Sequence, residues 1–318
     1  MTPTNAAKSQ TDEWLDAWMN RPLAAILVRM LVRTPVTPNQ MTFVCMLTGI
    51  AAGTMFAFGP GLPLVAGFVL AFATMVLDCT DGQLARARGV GGSTIGRILD
   101  GYGDAVVVIS LHVGMYLFVL GQDVRVLGTL LTDGQKLAVF AAAGFSLQLH
   151  CALFDFYKHR FMSFTGLDPR GVETPDFYVA EMRRATSLLD KAIIAPFVLY
   201  QIGQEMFVPS GDRASANKTQ PVVAALSPAQ QAEYAARNAP LVRAWSFLGP
   251  TVHIAIIGLC GLATLWNHQA FLFYAFVSIV VLNAYMLMLL AWQRIANRSA
   301  TVFAGAASAE ARSPADAE

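Results

Sequence analysis

Long apolar runs separated by short polar stretches dominate the chain. A helix rises about 1.5 Å per residue, so about 20 apolar residues cross a hydrocarbon core. Six runs approach or exceed that length, at about 39–58, 62–83, 96–120, 136–157, 244–266 and 269–292. The pattern predicts an all-α integral membrane protein with six transmembrane helices. Ahead of them, Trp14 to Arg33 reads as an amphipathic helix. Trp14, Trp18, Leu23, Ile26, Leu27 and Met30 can share one broad face, with Arg21, Arg29 and Arg33 able to reach phosphates. That combination suits a helix lying in the membrane interface; an ordinary surface helix is the alternative.

A seventh apolar stretch, 188–207, carries Asp190, Lys191, Pro196, Gln201, Gln204 and Glu205. With six spans and a cytoplasmic N-terminus, only Arg125 and Lys136 of the 22 Lys and Arg face outward, leaving 22 − 2 = 20 inside. That asymmetry is what the positive-inside rule requires. A seventh span would move Arg294, Arg298 and Arg312 outside. Residues 180–207 are therefore expected to lie on, or dip into, the cytoplasmic face. The organisation expected is a cytoplasmic N-terminus with the interfacial helix (1–34), a six-span domain (35–295) with a cytoplasmic insertion (158–243), and a disordered tail (296–318). Residues 209–240 read as a polar linker. Both termini are expected in the cytoplasm.

Composition sharpens this picture. Hydrophobic residues make up 55% and charged residues 14%, against about 25% charged in soluble domains; mean hydropathy is +0.49. The formal net charge is only +1, so bulk charge suggests no nucleic-acid partner. Cys45, Cys79, Cys151 and Cys260 are far apart with no CxxC pair, which suggests neither a zinc site nor a disulfide framework. The N-terminus is polar and then acidic at Asp12, Glu13 and Asp16, unlike a secretory signal.

The chemistry concentrates in one segment. Asp78 and Asp81 are three residues apart, and Asp100 and Asp104 four apart, so each pair projects from one helix face. A short loop with Gly89, Gly91 and Gly92 makes the two helices antiparallel neighbours, with all four carboxylates at one membrane face. A charged residue costs about 2.5–3.5 kcal/mol at mid-bilayer and less at the edge. Clustered anions persist there when compensated, and all-oxygen ligands favour hard cations, Mg²⁺ or Mn²⁺. Four carboxylates can hold two such ions. The alternative is a hydrated helical hairpin whose acids face water, with Arg86, Arg88 and Arg97 as ordinary anchors.

The pattern DxxDGxxAR, then nine residues, then GxxxDxxxD resembles the signature of the CDP-alcohol phosphotransferases. It is filled by Asp78, Asp81, Gly82, Ala85, Arg86, Gly96, Asp100 and Asp104. A weaker similarity is Thr37-Pro38-Asn39-Gln40-Met41-Thr42 at the start of the first span. The resemblance implies Asp78, Asp81, Asp100 and Asp104 as ligands of two Mg²⁺ or Mn²⁺ ions, with Asp104 also the general base. It implies contacts to a CDP-alcohol donor from Asn39, Thr42, Gly82, Ala85, Arg86 and Ser93, or Thr94 in the adjacent register. The implied reaction transfers a phosphoalcohol, preferentially phosphatidyl from CDP-diacylglycerol, to an alcohol hydroxyl and releases CMP. A homodimer among membrane lipids is also implied. The reverse placement, with the lipid on the acceptor, stays open at this point.

Gln148, Cys151 and Asp155 share one face of the fourth span, followed by Lys158, His159 and Arg160. Asp155, Lys158 and Arg160 are candidates for the acceptor pocket; interhelical hydrogen bonding with basic anchors is the competing reading. His112 and His253 read as packed structural histidines, and Gly53, Gly67, Gly101 and Gly103 as sites of close helix approach. A cation-coupled transporter would also place acids in a membrane, but near the midplane and on broken helices. A scaffold without activity would not need intact aspartates.

Overall fold

A computed structural model describes residues 11–90, 94–167, 175–208 and 227–298. Among these, six helices are long and apolar enough to cross a membrane: Pro38–Ala57, Leu62–Ala87, Thr94–Val119, Asp133–Phe164, Pro228–Ala263 and Ala270–Asn297. The helices run α1 (Arg21–Leu31), α2 (Pro38–Ala57), α3 (Leu62–Ala87), α4 (Thr94–Val119), α5 (Asp133–Phe164), α6 (Pro175–Arg184), α7 (Leu188–Phe207), α8 (Pro228–Trp245), α9 (Pro250–Ala263), α10 (Ala270–Phe276) and α11 (Asn283–Arg298). A two-residue hairpin pair, Arg125–Val126 with Thr129–Leu130, joins α4 to α5. The chain is an all-α integral membrane protein.

Local chemistry sets the boundaries. Thr37 and Gln40 form a capping box at the start of α2, as do Thr132 and Gln135 at α5 and Ser227 and Gln230 at α8. Pro38, at the first position of α2, has no amide to leave unpaired. One boundary corrects the sequence reading. Composition predicts a linker over 209–240; residues 209–226 lie outside the described ones, but Pro228–Trp245 is helical and meets α9 through one tight turn, Ser246–Leu248. Tyr234, Leu241, Val242 and Trp245 are buried; Tyr234 stacks on Phe164 and Trp245 on Tyr157, both of α5. The capping box and these anchors outweigh the polar composition of the segment. Of the tail expected to be disordered, residues 296–298 continue α11, and 299–318 lie outside the described residues.

Helices α2, α3 and α4 form the tightest group. Gly53 lies against the Ser110 carbonyl of α4, and Gly114 against the Gly53 carbonyl. A Cβ at either position would collide with backbone, so glycine sets the crossing distance. Gly67 faces the ring of Phe56, and Gly101 the ring of Phe197. A polar chain ties this group to the rest. His112 on α4 meets the Tyr274 hydroxyl at 3.2 Å, Tyr274 meets His253 on α9 at 3.3 Å, and His253 meets His150 on α5 at 3.1 Å. His150 in turn meets Asn283 Oδ1 at 3.2 Å.

Helix α1 and the turn before it present Trp14, Trp18, Leu23, Ile26 and Met30 outward, while Ala24 and Val28 are buried, Val28 against Leu84. The expected apolar face is therefore the one left open. Arg88, at the end of α3, holds the turn after α1. It donates to the carbonyls of Leu31 at 2.7 Å, Thr34 at 2.8 Å, Val32 at 3.2 Å and Val36. The alternative reading of the hairpin makes Arg88 an ordinary anchor; in the structure it locks the α1–α2 turn. Arg88→Met should lower stability by about 1–3 kcal/mol, because partly buried carbonyls lose their donor. Arg88→Lys should be destabilised too, since an ammonium lacks the planar fork. Thermal unfolding in detergent reads the change; an unshifted midpoint would contradict it.

Candidate active site

The α3–α4 hairpin brings three of the four expected acids together. Asp78, Asp81 and Asp100 each place a carboxylate oxygen within 4.8 Å of the other two. Asp81 is buried, and Asp78 and Asp100 are half-buried. Two carboxylate oxygens on one octahedral ion with bonds of about 2.0–2.1 Å sit roughly 3–4 Å apart. The three carboxylates need only small adjustments to meet that spacing, and an all-oxygen donor set suits a hard divalent cation. Thr42 of α2 donates to Asp81 Oδ2 at 2.6 Å, which fixes that carboxylate from the neighbouring helix.

Asp104 is not in the three-carboxylate group. It is exposed and lines a small cavity with Asp78, Cys45, Thr74, Pro250 and Thr251. Asp78 thus belongs to both the group of three and the cavity. Three of the four acids are brought together, and Asp104 is linked to them through the cavity it shares with Asp78.

The remaining expected contacts divide. On α3, Gly82 sits beside the guanidinium of Arg86, 3.3 Å from where a Cβ would be. Ala85 is half-buried and Arg86 is exposed at the helix end. Asn39 is exposed in the first turn of α2, one turn before Thr42. Ser93 lies outside the described residues, and Thr94 opens α4. Asp155 is exposed and close enough for its charge to act on Asp100 and Asp104. Its other neighbour is His159, at 3.7 Å. The charge of Lys158 acts on Asp12 and Glu13. Arg160 departs from expectation: it is 1% exposed, with its guanidinium over the Phe164 ring, so it is enclosed.

Two groups of residues were missed. The first is on α7, which packs on α4 and α5: the Tyr102 hydroxyl donates to the Ile193 carbonyl at 2.7 Å, and Gln204 to the Ala152 carbonyl at 2.6 Å. Gln148 donates to the Tyr200 hydroxyl at 3.3 Å. Burial, and then Asp155, pushes the Tyr200 phenol above its usual range. The second is the N-terminal acidic cluster. Glu13 is buried and accepts the Thr251 amide at 3.1 Å. Burial first, then Asp16, pushes its carboxyl well above the usual carboxylate range, against the opposing pull of Lys158 and the Thr251 amide. Three acids so close together were a visible signal; their partner 238 residues away was not.

If Thr42 orients Asp81 as an outer partner of a metal ligand, Thr42→Val should weaken Mn²⁺ binding by about 10- to 100-fold. Calorimetric titration of the detergent-solubilised protein measures this. Unchanged affinity would separate Thr42 from the site.

Residues 35–153 match the family model described as CDP-alcohol phosphatidyltransferase. The match covers α2, α3, α4 and most of α5. No curated protein and no solved structure matches the chain.

Proposed function

We propose that the chain is a CDP-alcohol phosphotransferase of lipid synthesis, on the strength of the family match at residues 35–153, and that its transfer is metal-dependent with Asp104 as the general base. The observation that carries the reading is the convergence of Asp78, Asp81 and Asp100 within 4.8 Å, with Asp104 facing the adjoining cavity.

Asp78, Asp81 and Asp100 would hold Mg²⁺ or Mn²⁺, and two ions remain within reach when Asp104 also contributes. When bound, the metal neutralises the donor pyrophosphate and stabilises charge on the departing CMP. The chain's own side chains do the rest. Arg86, exposed at the end of α3, offers a planar fork to a phosphate oxygen. Gly82 and Ala85 leave the helix surface low enough for the CDP moiety to approach. Asn39 and Thr42 border the donor from α2, and Ser93 from the hairpin loop. Asp104 takes the proton from the acceptor hydroxyl, and the resulting oxygen attacks the β-phosphorus as the bond to CMP breaks. Its place in the cavity, apart from the close group of three, leaves an oxygen free for that task.

Asp155 and Lys158 would border the acceptor. Arg160 is left out of this role because it is enclosed. We place the lipid on the donor, as CDP-diacylglycerol, with a small polar alcohol as acceptor; this follows the wider resemblance rather than a particular side chain. The domain is taken to run through 35–295 and to work as a homodimer. The distribution of Lys and Arg supports an active site and both termini in the cytoplasm. Helix α7 is absent from the six candidate spans, in keeping with a helix that dips into that face.

Incubation with a panel of CDP donors and alcohols, with CMP and products read by mass spectrometry, tests the reading. CMP release should vanish on chelation and return with Mg²⁺ or Mn²⁺; full activity in excess chelator contradicts it. Asp104→Asn should lower turnover about 10²- to 10⁴-fold while donor affinity holds, whereas Arg86→Ala should mainly weaken donor binding. Turnover near the parent value in Asp104→Asn would remove that residue as the base.

A further inference from the structure

The segment ahead of α1 lies outside the matched residues 35–153, yet it reaches the wall of the cavity. The N-cap of α9 is Gly249, which has no side chain with which to cap. A helix start leaves amides unpaired, and the Thr251 amide is one of them. Glu13 supplies the missing acceptor from a different part of the chain, at 3.1 Å. Its carboxyl sits directly on Gly249, where any Cβ would overlap it. Thr251 Oγ1 donates to Asp16 Oδ1 at 2.9 Å, and Asn20 donates to the same oxygen at 2.8 Å. Arg21 pairs with Asp12 at 2.6 Å, and Gln83 on α3 donates to the Arg21 carbonyl at 3.1 Å. The segment Asp12–Arg21 therefore bridges the start of α9 and the catalytic end of α3. Pro250 and Thr251 stand in the cavity with Asp78 and Asp104.

A local Ser or Asn at position 249 would cap α9 without a residue from another part of the chain. The cap used here comes from afar, and it spans from the N-terminal segment to the wall that faces Asp78 and Asp104. Capping alone does not account for that choice; fixing the distance between two walls does. Resting on the function proposed above, we infer that Glu13 is a positioning residue for the transfer, holding the Pro250–Thr251 wall at its separation from Asp78 and Asp104. The reacting phosphate and the acceptor hydroxyl meet between those walls. Misplacement of about 1 Å at a remote support can cost about 10²-fold in rate. Glu13 touches neither reactant.

The test compares Glu13→Ala and Glu13→Gln with the parent in lipid nanodiscs, by kinetics, thermal unfolding and amide hydrogen exchange. Glu13→Ala should lower kcat by about 10- to 100-fold. Donor KM should stay within about 2-fold, and exchange at Thr251 to Ile254 should quicken while that of α3 is unchanged. Glu13→Gln keeps an oxygen for the Thr251 amide and should recover kcat to within about 3-fold. Parental kcat in Glu13→Ala overturns the inference, as does a Gln variant no better than Ala. Joint loss of donor affinity, thermal midpoint and rate would mark Glu13 as holding the fold, which also overturns it. If no CDP donor yields CMP with the parent, the proposed reaction fails instead. The exchange comparison then still decides about Glu13, since unchanged protection at Thr251 to Ile254 in Glu13→Ala means it does not hold the wall.

Discussion

Carboxylates gathered on one helical hairpin repel one another, and holding them together governs how this end of the bundle is built. Asp78, Asp81 and Asp100 lie within 4.8 Å of one another, in a protein interior where charges are screened far less than in water. The scaffold that holds them is close-packed: Gly53 and Gly114 bring α2 and α4 into backbone contact, and Thr42 on α2 donates to Asp81. Arg88 ties the end of the acid-bearing helix to the turn between α1 and α2. A cluster under such repulsion is well suited to a divalent cation, which turns the repulsion into ligation. On the proposed reading, metal binding and donor binding belong together, because a pyrophosphate approaching bare carboxylates would be repelled.

Much of this was legible in the chain because its carriers are local. Six apolar runs fix the spans by length alone, and period fixes which acids share a face. The hairpin was readable because Asp81 and Asp100 are separated by one short loop. Close approach at Gly53 was readable too, since a missing side chain in a span has few other uses. What escaped depends on partners far apart in sequence. Nothing near Glu13 points to Thr251, and nothing near Arg88 points to the carbonyls after α1. Composition also misled at 228–245, where a polar helix is held by Tyr234 and Trp245 stacking on α5. Arg160 looked like an anion contact by charge, but its burial under Phe164 is a tertiary fact.

The cavity is where the two kinds of information join. Its floor, Asp78 and Asp104, comes from the motif; its wall, Pro250 and Thr251, comes from a helix outside the matched segment. The cavity is therefore completed by a part of the chain that the family pattern does not describe. Asp155 on α5 lies near enough for its charge to act on both Asp104 and Tyr200 of α7.

The most direct measurement is anomalous diffraction from crystals grown with Mn²⁺ and a non-hydrolysable CDP-alcohol analogue. Metal-dependent transfer on this hairpin predicts an Mn²⁺ peak within about 2.0–2.3 Å of carboxylate oxygens of Asp78, Asp81 and Asp100, with the analogue's pyrophosphate on its open side and Asp104 toward the cavity. An analogue bound at the hairpin with no Mn²⁺ between it and those carboxylates, or Mn²⁺ bound elsewhere, would contradict it.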